Sequence, residues 1–124
     1  MNEEILETKT VIMCNHSDAD SVMASLVMGA AAAATGDKVL MFFQPGGAQV
    51  LVKGELEKFK DLPGLPDPLY LYESILTLDG EFILCELGIP NKGIKREDLR
   101  DEVQVMMASE FLMKADGAHF TFSY

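Results

Sequence analysis

The stretch Lys9-Thr-Val-Ile-Met-Cys-Asn15, followed at once by Ser17-Asp-Ala-Asp20, decides the fold of this chain. Residues 9–15 form a nearly continuous apolar run of strand length, which is typical of a strand covered on both faces in a parallel sheet. Residues 17–20 match a capping box, and apolar residues then recur at helical spacing until Gly36 ends the helix. A buried strand that leads directly into a helix predicts an α/β fold.

The alternation of strand and helix continues along the chain. We predict further strands at residues 38–44, 81–85, 103–106 and 118–124. We predict helical segments at residues 48–59, 69–78, 96–99 and 108–115. The last strand has alternating polar and aromatic residues, which indicates an edge strand.

These elements predict one domain over residues 1–124, in which residues 1–8 form a flexible N-terminus. The domain is expected to be a parallel sheet of about five strands with helices on both faces. The connectivity favours a flavodoxin-like strand order, in which the first and third strands are neighbours.

Composition and charge restrict the class of protein. Of the 124 residues, 48% are hydrophobic and 24% are charged, as in a folded globular protein. The net charge of −10 repels phosphate backbones and anionic lipids, so we expect neither nucleic acid nor a membrane as partner. The first residues are acidic where a signal peptide is basic, and the apolar run 22–34 is too short to cross a bilayer. A cytoplasmic protein is therefore expected.

The two cysteines, Cys14 and Cys85, are expected to be free thiols, because two cysteines make no disulfide framework in such a chain. Two cysteines and two histidines are also too few, and too scattered, for a metal-ligand signature. We therefore expect no metal site.

Candidate site residues lie where the predicted strands end, because open parallel sheets bind ligands beyond the carboxyl ends of their strands. The residues at these ends are Cys14, Asn15, His16, Gln44 and Cys85. His119 begins the last strand, at the opposite edge of the sheet, and is a poor partner for Cys85. His16 remains a candidate partner, although a place in the helix cap also explains it.

In the flavodoxin-like order, Cys14 and Cys85 would end neighbouring strands about 4.8 Å apart. A shift of register by one residue would turn them to opposite faces of the sheet. A cysteine that ends a buried strand is more often a small core residue than a nucleophile. Spacing alone leaves both interpretations open.

A set of segments follows Cys85 in a fixed order: Gly93-Ile94, Lys95-Arg-Glu-Asp-Leu99, Val103-Gln-Val105 and Ala108-Ser-Glu-Phe-Leu112. In this order and spacing they resemble the DsrE/DsrF-like family, in which a cysteine ends the third strand. Residues 19–36, Lys38-Val-Leu-Met-Phe-Phe43 and Gly46-Gly47 are similar to the alanine-rich first helix and the Phe-Phe strand of the same family.

The resemblance implies an intracellular sulfur-relay protein, a sulfurtransferase or sulfur carrier without a cofactor. Cys85 would accept sulfane sulfur as a persulfide and pass it to a TusA-like or rhodanese-like carrier protein. Asn15, His16, Cys14 and Gln44 would support the pocket, and the chain would assemble as a homotrimer or homohexamer. The alternative is a non-catalytic oligomeric subunit or a small-ligand binding module in which Cys85 is only packed. A redox pair of Cys14 and Cys85 is a third hypothesis.

Overall fold

The computed structural model describes residues 7–124, so most of the predicted flexible N-terminus lies outside the described residues. The strands are β1 (Lys9–Cys14), β2 (Lys38–Phe43), β3 (Glu81–Cys85), β4 (Gln104–Met106) and β5 (Ala118–Ser123). The α-helices are α1 (Ala19–Ala34), α2 (Pro68–Thr77), α3 (Gly88–Lys92) and α4 (Ala108–Lys114).

The five strands form one parallel sheet in the order β4-β3-β2-β1-β5. The predicted single-domain α/β fold is therefore confirmed, including the five parallel strands. The flavodoxin-like order is wrong, because β1 lies between β2 and β5 and does not touch β3. The chain advances in one direction from β1 to β4, and only the last connection returns to the free edge of β1.

Right-handed crossovers explain where the helices lie. The first three connections advance in the same direction, so α1, α2 and α3 pack on one face of the sheet, which we call the helix-rich face. The last connection runs the opposite way and crosses the other face, where the aromatic ring of Phe111 on α4 packs. We call this second surface the α4 face. It is formed by Val11, Leu40, Phe42, Ile83 and Cys85.

Two segments differ from the sequence prediction. Residues 48–59 were expected to be helical, and they form two short 3₁₀ turns, Pro45–Leu51 and Leu56–Phe59. Gly54 lies between these turns with φ of 87°, a left-handed conformation that interrupts a helix. The segment after β3 is not among the helices predicted from the sequence, and it forms the short helix α3, which Gly93 ends with φ of 63°.

No helix within residues 7–124 combines the length and the apolar character needed to cross a bilayer.

Candidate functional site

Cys85 lies at the switch point of the sheet. It ends β3 and pairs with Met106, which ends β4. The chain after Cys85 turns to the helix-rich face, where Gly88 of α3 lies against Leu84. The chain after Met106 turns to the α4 face. Neighbouring strands whose connections leave to opposite faces form the crevice in which open α/β sheets bind ligands.

The Cys85 side chain points to the α4 face and is shielded there. It belongs to one buried cluster with Phe42 and Phe111, and Met106 packs against this cluster. Cys85 is a free thiol and is only 5% exposed. The ring of Phe111 lies nearly parallel to that of Phe42, with the centroids 4.1 Å apart. Among the described helices, α4 is therefore the element that separates this thiol from solvent.

An open cleft of about 480 Å³ lies at the carboxyl ends of β1, β2 and β5, one strand away from Cys85. It is lined by Met13, Asn15, His16, Gln44, Ser123 and Tyr124. Gln44 follows Phe43, which pairs with Leu84, so Gln44 is level with Cys85 on the neighbouring strand. The structure thus brings Asn15, His16 and Gln44 together, one strand away from Cys85.

The turn after β2 is seated directly on the end of β1. The Gly46 N–H donates to Asn15 Oδ1 at 3.1 Å, and Ser17 Oγ donates to the Gly46 carbonyl at 2.8 Å. A Cβ atom at Gly46 would lie 2.1 Å from the Asn15 carbonyl oxygen. Glycine is therefore needed at position 46. The close approach of the two backbones also fixes the position of Asn15 in the lining of the cleft.

The helix cap does not use His16. Asp18 is the N-cap of α1, and its carboxylate accepts from the Ser21 N–H at 3.0 Å. Hydrogen bonding from Ser21 holds the pKa of Asp18 below its usual range. His16 is accordingly left to line the cleft.

Cys14 is on the other side of the sheet. It belongs to the buried cluster of the helix-rich face, and burial raises the pKa of its thiol to about 12. The expectation that Cys14 and Cys85 end neighbouring strands is wrong, because β2 lies between them. Two strand spacings place their Cα atoms roughly 10 Å apart, beyond the ~7 Å limit for a disulfide. The two cysteines therefore do not form a redox pair in this fold.

His119 lies at the amino ends of the strands, far from Cys85. Its Nε2 is 2.5 Å from Asp37 Oδ2, and the Asp37 carboxylate also accepts from the hydroxyls of Thr10 and Thr8 at 2.5 and 2.8 Å. The hydrogen bond from Thr10 is the largest cause that keeps the pKa of Asp37 below its usual range. This cluster, in which Thr10 and Asp37 are buried, links β1, the start of β2 and β5.

Sequence reasoning missed three residues of the cleft: Met13, Ser123 and Tyr124. Ser123 pairs with Met13 because β5 lies beside β1, and Tyr124 then donates its N–H to the Met13 carbonyl at 2.8 Å. The sequence predicts the last strand as an edge strand, but it does not show that this strand lies beside β1. Within residues 7–124, no three His, Cys, Asp or Glu side chains are grouped so as to hold a metal ion.

Several solved structures share this fold, among them the following two. The crystal structure of the ychN protein from E. coli aligns with a TM-score of 0.74 and 13% identity, over 96% of this chain and 100% of that one. The structure of MTH1491 from Methanobacterium thermoautotrophicum, described as a protein of unknown function, aligns with a TM-score of 0.72 and 11% identity, over 95% and 100%. No protein-family model and no curated protein matches the chain. At these identities the likeness shows the fold.

Proposed function

We propose that this protein accepts sulfane sulfur on Cys85 as a persulfide and passes it to a partner protein. The observation that carries the proposal is the position of the Cys85 thiol at the switch point between β3 and β4. The ordered segments from Cys85 to residue 112, which resemble the DsrE/DsrF-like family, support the same role.

The chemistry needs one thiolate and no net oxidation. The Cys85 thiolate attacks the outer sulfur of a donor persulfide or polysulfide, and an S–S bond forms at Sγ. The bond between that sulfur and the donor breaks, and the donor leaves as a thiolate with the electron pair. The proton of the Cys85 thiol passes to solvent. An acceptor thiolate then attacks the outer sulfur, and Cys85 leaves as a thiolate.

The cleft beside Gln44 is the proposed route for the donor. The amide N–H groups of Gln44 and Asn15 and the ring N–H of His16 are the donors that a persulfide or polysulfide anion needs. Cys14, on the other face, has no part in this route.

The partner proposed is a TusA-like or rhodanese-like carrier protein, and the proposed assembly is a homotrimer or homohexamer. Both rest on the resemblance to the DsrE/DsrF-like family. Leu112 and Met113 on the outer side of α4 are exposed apolar side chains, which supports binding of another protein near Cys85. Native mass spectrometry of the purified chain, alone and with a carrier of this class, tests the two proposals.

Loading with a polysulfide tests the role of Cys85. Wild-type protein and the matched variant Cys14→Ser are expected to gain sulfur atoms in intact-mass spectra, and a thiol reductant should remove them. Cys85→Ser is expected to gain none. The same gain in Cys85→Ser as in wild type would refute the proposal.

The second candidate is a non-catalytic subunit or small-ligand binding module. The low exposure of Cys85, 5%, favours it, as does a cleft whose lining does not include the thiol. Under this function, a polysulfide would add no sulfur to Cys85 of the folded protein. A gain of sulfur at Cys85 that a thiol reductant removes would exclude it.

A further inference from the structure

We infer that α4 is a gate over Cys85, a helix that unfolds locally to expose the thiol to a donor in the cleft and to the partner, while the rest of the sheet stays folded. The purpose of the gate rests on the proposed function, whereas the opening itself is a property of the fold. Three features of α4 carry the inference.

The first feature is that α4 is short and has one buried residue. It has seven residues, and Phe111 alone is buried. Isolated helices shorter than about 12–15 residues are marginal in water, so α4 depends on packing against the sheet. By contrast, α1 has sixteen residues and buries side chains along its length. The packing that keeps α4 folded thus rests mainly on the stack of Phe111 on Phe42.

The second feature is that the two ends of α4 are held differently. At the carboxyl end, Lys9 Nζ donates to the carbonyls of Lys114 and Asp116, each at 3.1 Å. Lys114 Nζ also pairs with Glu81 Oε1 at 3.1 Å. At the amino end, the N-cap Met107 offers no side-chain cap. Within the described chain, no side-chain hydrogen bond or ion pair holds residues 107–110. Opening is expected to begin at this end, which follows Met106 beside Cys85.

The third feature is the position of this weak element. Locally unstable segments of a native protein open without global unfolding, and binding regions are drawn from such segments. Here the weakly held helix covers the one thiol at the switch point of the sheet, whereas Cys14 lies under the longer helices of the other face. A partner that binds the exposed Leu112 side of α4 would contact the gate itself.

The test uses three substitutions, at two exposed positions, that leave the core untouched. Leu112 is 68% exposed in the middle part of α4, so Leu112→Gly differs from Leu112→Ala in helix propensity and not in packing. Glycine disfavours a helix by about 1 kcal/mol relative to alanine, which corresponds to about fivefold in an opening constant. Ala24→Gly applies the same change at an exposed position of α1.

The measurement is the rate at which iodoacetamide labels Cys85 in the folded protein, followed by the mass of the Cys85 peptide. The reagent is kept dilute, so that the rate reports the opening equilibrium. We expect Leu112→Gly to be labelled about fivefold faster than Leu112→Ala, and Ala24→Gly to be labelled at the wild-type rate. Equal acceleration by Ala24→Gly would mean that only global unfolding exposes Cys85, and would overturn the gate. Equal rates for the two Leu112 variants would overturn it as well.

Sulfur loading of the same variants separates this inference from the proposed function. If α4 controls alkylation but polysulfide adds no sulfur to Cys85, the gate stands and the sulfur-carrier function fails. If Cys85 takes up sulfur at a rate that the Leu112 variants do not change, the function stands and the gate fails.

Discussion

The aromatic ring of Phe111 stacks on that of Phe42 at 4.1 Å between centroids and 15° between planes, and this contact attaches α4 to the sheet. If α4 opens locally, removing the contact costs no more than the free energy that holds α4 closed. We therefore expect Phe111→Ala to lower the free energy of unfolding by about 2 kcal/mol, less than the ~3–5 kcal/mol usual for a buried phenylalanine. Urea unfolding followed by circular dichroism measures this loss.

Phe82→Ala is the matched control for this prediction. Phe82 is fully buried in the helix-rich face, between the rings of Tyr72 and Phe43. No local opening relieves its loss, so the full ~3–5 kcal/mol is expected there. Equal losses for the two variants would contradict a locally opening α4.

Cys14 is expected to be inert in the folded protein. Burial raises the pKa of its thiol to about 12, so almost no thiolate is present at pH 8. Alkylation at pH 8 followed by peptide mapping should label Cys14 only after a denaturant is added. Labelling of Cys14 ahead of Cys85 under native conditions would contradict the burial that the structure gives it.

Gly46→Ala is expected to destabilise the protein strongly, by more than about 2 kcal/mol, because its Cβ would overlap the Asn15 carbonyl oxygen at 2.1 Å. The backbone at position 46 or 15 has to move, and the cleft moves with it. Gly64→Ala is the control. Gly64 has φ of 77° and no neighbour near its added Cβ, so only the left-handed backbone cost of about 1 kcal/mol applies. If urea unfolding gives Gly46→Ala and Gly64→Ala similar losses in the free energy of unfolding, the contact with Asn15 does not restrict position 46.

The Asp37 cluster predicts a specific dependence of stability on pH. Hydrogen bonding, above all from Thr10, lowers the pKa of Asp37 in the folded state below the unfolded value of about 3.9. The stabilisation that the Asp37 carboxylate gives is fully present at pH values above the unfolded-state pKa. It is lost as the pH falls through the lower pKa of the folded state. Asp37→Asn should therefore cost about 2 kcal/mol at pH 7 and progressively less below pH ~4.

Urea unfolding of wild type and Asp37→Asn at pH 7 and at pH 3 measures this difference. The exposed residue Asp116 supplies the control, because Asp116→Asn removes one carboxylate outside the cluster. If the free energies of unfolding of wild type and Asp37→Asn differ by the same amount at both pH values, the carboxylate charge does not have the proposed role.

The sequence was sufficient where the signal is local. The apolar run of β1, the capping residues 17–20 and Gly36 lie within thirty residues, and the strand and helix that they predict are present. The strand order depends on which edge β5 occupies, and no single segment encodes that choice. Cys14 and Cys85 were therefore placed together, although β2 separates them.

In the candidate site, too, some features can be predicted from the sequence and others cannot. Asn15, His16 and Gln44 were found because the carboxyl ends of parallel strands share one edge of a sheet. The shielding of Cys85 by Phe111 was not foreseen, because it results from the last crossover passing over the α4 face. When a segment distant in the sequence buries a thiol, the residues next to that thiol in the sequence do not predict its burial.

The late position of β5 has a consequence for how the molecule is made. Lys9 of β1 pairs with Ala118 of β5, more than a hundred residues later in the chain. During synthesis on the ribosome, β1 to β4 emerge in the order in which they pair, but the outer edge of β1 stays open until residues 118–123 arrive. An open edge of N–H and C=O groups invites pairing with other chains. Polypeptides released before residue 118 should therefore aggregate, and chaperones that cover strand edges should bind the nascent chain during this interval.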